Sequence, residues 1–143
     1  MRTLLIACGN PLRGDDGVAI EVLRLLAPGS DRELYEVQQL TPEIAEKVAA
    51  YDCVVFLDAD AAATKLTIQP VRGAGSRSPL SHASSPAEIV ALSRTLFAFS
   101  GAAVTCGIPA RDFSAGKSLS LETQRVVREA AEELERLYQS VGR

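Results

Sequence analysis

Five consecutive apolar residues, Cys-Val-Val-Phe-Leu from Cys53 to Leu57, are followed at once by an aspartate, Asp58. An unbroken apolar run of this length reads as a central strand buried on both faces, the mark of a parallel sheet covered by helices on each side. The rest of the chain agrees with that constraint. Short β-rich runs alternate with helical patterns, which predicts βαβ units and a mostly parallel sheet. The expected fold is therefore α/β: a three-layer, mostly parallel twisted sheet of about five strands with helices on both faces, spanning residues 1–143 as one domain.

The first strand is expected over Thr3 to Ala7, followed by the loop Gly9-Asn10-Pro11-Leu12-Arg13-Gly14. A helix then carries Val18, Ile20, Val22, Leu23, Leu25 and Leu26 on its apolar stripe and ends near Pro28-Gly29. Leu34 to Gln38 reads as the second strand. Thr41 and Pro42 suit the N-cap and first position of a helix running to about Tyr51. Lys65 to Val71 alternates, as a more exposed strand does. Ser85-Pro86-Ala87-Glu88 has capping-box spacing with proline at the first helical position. Ala102 to Cys106 is a further core strand. The longest helix is expected from about Leu121 to Tyr138, with Val126, Val127, Ala130, Leu134, Leu137 and Tyr138 inward.

Apolar residues make up 47% of the chain, enough for one buried core. The formal net charge of −3 argues against nucleic acid, which asks for a basic face to displace counterions. Nothing approaches the roughly 20 apolar residues of a membrane span, and Leu4 to Cys8 is too short for a signal-peptide core. A soluble, cytoplasmic protein is expected, its oligomeric state left open. Cys8, Cys53 and Cys106 are odd in number, far apart and set in apolar runs, so neither a disulfide framework nor a zinc ribbon is supported. They read as small buried hydrophobes. A cysteine protease would need a histidine beside one thiol, and the chain has one histidine.

Ligands of open parallel sheets bind at the carboxyl ends of the strands, where the strand order reverses. The polar residues that follow strands are therefore the candidates: Asn10, Asp15 and Asp16 after the first, Asp58 after the third with Asp60 two residues on, and His82 in the Ser/Gly/Pro-rich stretch 72–86. Gly9 and Gly14 have the spacing of a phosphate loop, but Asp15-Asp16 stands where Lys-Ser/Thr belongs. Two carboxylates repel a phosphate and suit a cation. One of them is expected to cap the following helix, where a carboxylate offsets orphan amides, which leaves the other for metal. Asp58 at the end of an apolar strand needs a charged, metal or hydrogen-bonded partner if it is buried. A turn-forming role is the plainer alternative for it, and an idle exposed imidazole is the plainer one for His82. Two carboxylates and an imidazole would make an N/O site with open positions, suited to a transition metal held partly by its substrate.

These residues also carry a likeness. Gly9-Asn10-Pro11-Leu12-Arg13-Gly14-Asp15-Asp16-Gly17 resembles the amino-terminal signature of the hydrogenase maturation proteases. The resemblance continues through Val54-Val55-Phe56-Leu57-Asp58-Ala59, Ser81-His82, Thr105-Cys106-Gly107-Ile108-Pro109 and Leu119-Ser120. It implies an endopeptidase that removes a short carboxy-terminal extension from the large-subunit precursor of a nickel hydrogenase. On that likeness Asp16, Asp58 and His82 are the catalytic and metal-recognising residues, and the nickel is supplied by the precursor. Ala7 and Ala19 stand where many members have glycine, and some members carry glutamate at the position of Asp16. The residues assemble no Ser-His-Asp or Cys-His arrangement. Either a metal polarises the scissile carbonyl or activates water, or a carboxylate acts as general base, as in an aspartic-type enzyme. The 72–86 stretch is expected to order around the precursor.

A receiver-like signalling domain is the rival reading, with Asp58 phosphorylated, Asp15 and Asp16 holding Mg²⁺, and Lys117 on the phosphoryl group. It requires five βα units, and it leaves His82 without a role. A non-catalytic relative that only binds metal or partner is the third.

Overall fold

A computed structural model describes residues 1–9, 17–71, 84–110 and 121–141, the side chains at 122, 123 and 138–141 excepted. The elements run β1 (Thr3–Cys8), α1 (Val18–Leu25), β2 (Arg32–Val37), α2 (Ile44–Val48), β3 (Cys53–Asp60), β4 (Thr67–Pro70), α3 (Pro86–Leu96), β5 (Ala102–Pro109) and α4 (Leu121–Val141). The five strands form one sheet in the order β2-β1-β3-β5-β4. β2, β1, β3 and β5 are mutually parallel, and β4 runs antiparallel to β5 along the outer edge. The expected three-layer α/β fold is the observed one, with the Cys53–Leu57 run in the middle strand.

Strand alternation sorts the core into two layers. Leu5, Ala7, Leu57, Cys106 and Ile108 point to one face and pack under α1 and α4, through Val18, Val22, Leu23, Val127, Ala130 and Leu134. Leu4, Ile6, Val54, Phe56 and Ala103 point to the other and pack under α2 and α3, through Ile44, Ala45, Val48, Ile89 and Val90. Leu57 and Ile108 are fully buried. Truncating Leu57 to alanine would cost about 2–5 kcal/mol, the loss of transfer energy plus the cavity left behind.

The helices show which local signals prevail. α3 starts on the capping box read from the sequence: Ser85 Oγ accepts from the Glu88 amide at 3.1 Å, and Glu88 Oε1 accepts from the Ser85 amide at 3.2 Å. Midway along α3, the wholly buried Ser93 donates its hydroxyl to the Ala45 carbonyl at 2.7 Å and so ties α3 to α2. The α2 expectation needs correction. The α-helix covers only Ile44–Val48, and it has no side-chain cap. Its flanks are closed by three-residue turns, Ile44 N–H to the Thr41 carbonyl, Ala45 to Pro42, and Tyr51 to Val48. Thr41 thus contributes its backbone oxygen rather than its hydroxyl, and the segment winds more tightly than an α-helix.

Smaller departures have equally specific causes. β2 begins at Arg32 rather than Leu34, because its ladder with β1 starts at the Thr3–Arg32 pair. α1 stops at Leu25, and that side chain is 57% exposed, off the stripe through which Val22, Leu23 and Leu26 enter the core. β4 is confined to Thr67–Pro70, and Pro70 is tolerated because this is an edge strand. Gly101 lets the chain turn into β5 against Asp52, where an added Cβ would fall 2.2 Å from the Asp52 carbonyl oxygen. The receiver reading fails on topology: β3 leads directly into β4 with no helix between them, and β4 is antiparallel, so five βα units are not present.

Candidate active-site edge

The strand order reverses at β1 and β3. From β1 the chain passes through α1 to β2 on one side, and from β2 it passes through α2 to β3 on the other. The carboxyl ends of these two neighbouring strands therefore diverge and leave the crevice in which such sheets bind ligands. Two candidate segments emerge there. β1 ends at Cys8, and Gly9 is held by its amide on the Val37 carbonyl at 3.1 Å. Asp15 and Asp16 come next in the chain but lie outside the described residues, as does most of the Gly9–Gly17 motif. The described residues resume at Gly17, the N-cap of α1, which uses no side-chain cap bond.

Asp58 lies among the described residues, and it differs from expectation. β3 does not end at Leu57 but continues through Asp58 and Ala59 to Asp60, paired with Gly107, Ile108 and Pro109 of β5. Asp58 is therefore a strand residue, one position beyond the last β1–β3 pair, Ala7–Leu57. It is also exposed rather than buried, although Leu57 just before it is fully buried. One carboxylate oxygen, Oδ1, accepts from the Ala59 amide at 2.8 Å. An exposed carboxylate carries no large desolvation cost and is accessible to an incoming ligand.

Asp60 has a different occupation. Its Oδ1 accepts from the Ala62 amide at 2.9 Å, and its backbone carbonyl accepts from the amides of Ala63 and Ala110, both at 3.3 Å. It fastens the β3–β4 connection to the exit of β5. Its second oxygen stands over Gly107, where a Cβ would come within 3.2 Å of Asp60 Oδ2 and 2.6 Å of Thr67 Oγ1. Gly107, the register partner of Asp58, thus makes room for both groups. A glycine inside an apolar strand marks a close approach of this kind, and that was the available signal for it.

His82 lies outside the described residues, together with the rest of 72–83 and with Lys117. The ends of that stretch are in place. Val71 donates its amide to Ala103 at 2.9 Å, and Ser84 donates its amide to the Leu40 carbonyl at 2.9 Å. Leu40 follows the end of β2 by three residues, so Ser84 sits at the same carboxyl edge as Asp58. Among the described residues no group of three His, Cys, Asp or Glu side chains is gathered as a metal site, and no helix is long and apolar enough to cross a membrane. Cys106 fits its reading as a buried hydrophobe, whereas Cys53 and Cys8 are half-buried and Cys8 gives its thiol to the Gln38 carbonyl at 3.6 Å. Burial, reinforced by the Glu133 charge, pushes the Cys106 thiol up to about 12, and burial followed by the Asp52 charge raises that of Cys53. Neither is an activated nucleophile.

Solved structures share this architecture. The hydrogenase maturating endopeptidase HybD from Escherichia coli superposes with a TM-score of 0.80 at 16% identity, over 99% of this chain and 94% of its own. The NiFe hydrogenase maturation protease HycI from Thermococcus kodakarensis gives a TM-score of 0.75 at 22% identity, over 96% and 92%. HybD from Thermococcus kodakarensis gives 0.65 at 24% identity, over 96% and 99%. No protein-family model and no curated protein sequence matches the chain. The chain has the fold of these hydrogenase maturation endopeptidases along nearly its whole length.

Proposed function

We propose that this protein is an endopeptidase that removes the carboxy-terminal extension of a nickel-loaded hydrogenase large-subunit precursor. The observation that carries the reading is the position of Asp58: an accessible carboxylate on the middle strand, at the crevice where β1 and β3 part, in the fold of the maturation endopeptidases. Asp16 and His82 complete the proposed site. Asp16 directly precedes Gly17, the first residue of α1's cap, and His82 precedes the anchored Ser84 by two residues. Two carboxylates and one imidazole form an N/O donor set that leaves coordination positions to the substrate. The nickel belongs to the precursor, so the protease reads the loaded metal as the condition for cutting.

Hydrolysis adds water to the scissile carbonyl and delivers a proton to the departing amine. Asp58 is suited to take the proton from that water or to hold the substrate's metal beside the carbonyl; in either role it acts as the ionised carboxylate. The exposed, strand-borne position makes the test clean. In a cleavage assay on nickel-loaded precursor, Asp58→Asn, Asp16→Asn and His82→Ala should each lower the rate by at least about a hundredfold. The Asp58→Asn protein should keep the wild-type thermal midpoint. Full activity of Asp58→Asn would remove it from the site. A wild-type protein that binds the precursor without cutting it would instead make the chain a non-catalytic relative.

A further inference from the structure

Asp58, Gly107 and Thr67 stand in one row across β3, β5 and β4. Paired residues of neighbouring strands share a face of the sheet, and so do residues two apart on one strand, which brings Asp60 to the same face. Gly107 has no side chain, so the row has a gap at its centre, with Asp58 on one side and Thr67 on the other. The gap spans two strand spacings, about 10 Å.

Two polar atoms lean into this gap. A Cβ at Gly107 would fall 2.6 Å from Thr67 Oγ1 and 3.2 Å from Asp60 Oδ2, so both oxygens crowd the same bare stretch of β5 backbone. Asp60 leans there although its own register partner is Pro109, two residues further along β5. Its Oδ1 is held by the Ala62 amide at 2.9 Å, which orients the carboxylate and leaves Oδ2 to the gap. Neither Oδ2 nor Thr67 Oγ1 makes a hydrogen bond among the described residues. Neither belongs to the buried, unpaired oxygens of the described side chains, and Asp60, Gly107 and Thr67 are each half-buried, so solvent reaches both atoms.

We propose that this gap is a substrate subsite that grips the backbone of the precursor chain beside the bond being cut. Asp60 Oδ2 accepts from the N–H of one substrate residue, and Thr67 Oγ1 donates to the C=O of that same residue. In an extended chain these two groups point to the same side, and the two oxygens offer the acceptor and donor that a facing strand residue would offer. The spacing from Asp58 fits. Asp60 lies two residues on, about 6.6 Å along the strand, and an extended substrate repeats its same-side groups at that interval. A chain with its scissile carbonyl at Asp58 therefore brings a neighbouring residue over Gly107, where the missing Cβ permits close backbone approach. The subsite rests on the peptidase reading of Asp58 and adds to it a grip on extended backbone rather than on a side chain.

The test is steady-state cleavage of nickel-loaded precursor by the full-length protein. Thr67→Val keeps the shape, removes the hydroxyl, and should raise KM about tenfold with kcat and the thermal midpoint unchanged. Thr67→Ser keeps the hydroxyl and should return KM to the wild-type value. In Asp60→Asn, Oδ1 can stay on the Ala62 amide while an NH₂ group replaces Oδ2, and KM should rise likewise. An unchanged KM in either Thr67→Val or Asp60→Asn, with wild type cutting normally, overturns the subsite and leaves the peptidase reading standing. A wild-type protein that does not cut the precursor overturns both.

Discussion

Arg32 at the first position of β2 and Glu135 near the end of α4 meet through a two-pronged contact, Nη2 lying 2.8 Å from Oε1 and 3.1 Å from Oε2 across 103 residues of sequence. Glu135 Oε1 also accepts from the Ala27 amide at 3.3 Å. The pair binds the last helix to the loop leaving α1 and to the outer parallel strand. The Arg32 side chain is only 10% exposed.

Removing Glu135 should therefore be costly, because it takes the paired carboxylate from a guanidinium largely withdrawn from water. Glu135→Ala is expected to lower stability by about 2 kcal/mol. The double variant Arg32→Met, Glu135→Leu should recover most of that loss, since neither charge then remains to be satisfied. Urea midpoints of the two proteins check this; equal midpoints would mean the pair does not couple.

Ala98, just past α3, sits at φ 59°, the left-handed region in which a Cβ crowds the following carbonyl. Glycine is the usual residue at such a helix exit. Ala98→Gly should raise stability by about 1 kcal/mol, seen as a thermal midpoint higher by roughly 4 °C. A lowered midpoint would show that the alanine is held there by something other than chain direction.

With its thiol at about 12, Cys106 at pH 8 is ionised in on the order of one molecule in ten thousand. Iodoacetamide at that pH should leave the Cys106 peptide unmodified in the native protein and label it fully in urea. Rapid labelling of the native protein would contradict the burial argument and reopen thiol chemistry.

Glu33 and Lys47 form an ion pair between β2 and α2, with the Lys47 ammonium 4.6 Å from the Tyr35 ring centre. Hydrogen bonding to Lys47 holds the Glu33 carboxyl below the usual carboxylate range, against an opposing effect of burial. A lowered carboxyl pKa stabilises the fold at neutral pH, and the contribution disappears as pH falls through the lowered value. The Lys47 ammonium is raised by the same hydrogen bond, so its share is present at neutral pH and disappears only above the ordinary lysine value. Both side chains are a third or more exposed, which keeps the pair under about 1 kcal/mol. The gap in urea midpoint between wild type and Glu33→Gln should be present at pH 7 and close on acidification below about pH 4. A gap that persists unchanged at low pH would count against the pair.

The architecture was readable where local signals and tertiary demands coincide. The Cys53–Leu57 run announced the middle strand because both of its faces meet helices, and Ser85 to Glu88 announced α3 because a capping box needs only its own four residues. The sequence was less informative where distant partners decide. β3 runs on to Asp60 because β5 offers it Gly107, Ile108 and Pro109, and no pattern near Asp58 encodes that pairing. Glu135 is one of many charges along α4, and only the fold sets Arg32 opposite it. Of the proposed trio, Asp58 is the member whose place in the fold is described; Asp16 and His82 stand on the resemblance and on the positions of Gly17 and Ser84.

The parting of β1 and β3 has a mechanical consequence. The connection after β1 feeds α1 on the front layer, whereas Ser84, on the back layer, is tied at the same edge to the chain entering α2. A ligand held at this edge between β1 and Ser84 would touch both layers at once. It would act as a cross-brace, and its departure would unbrace front and back together.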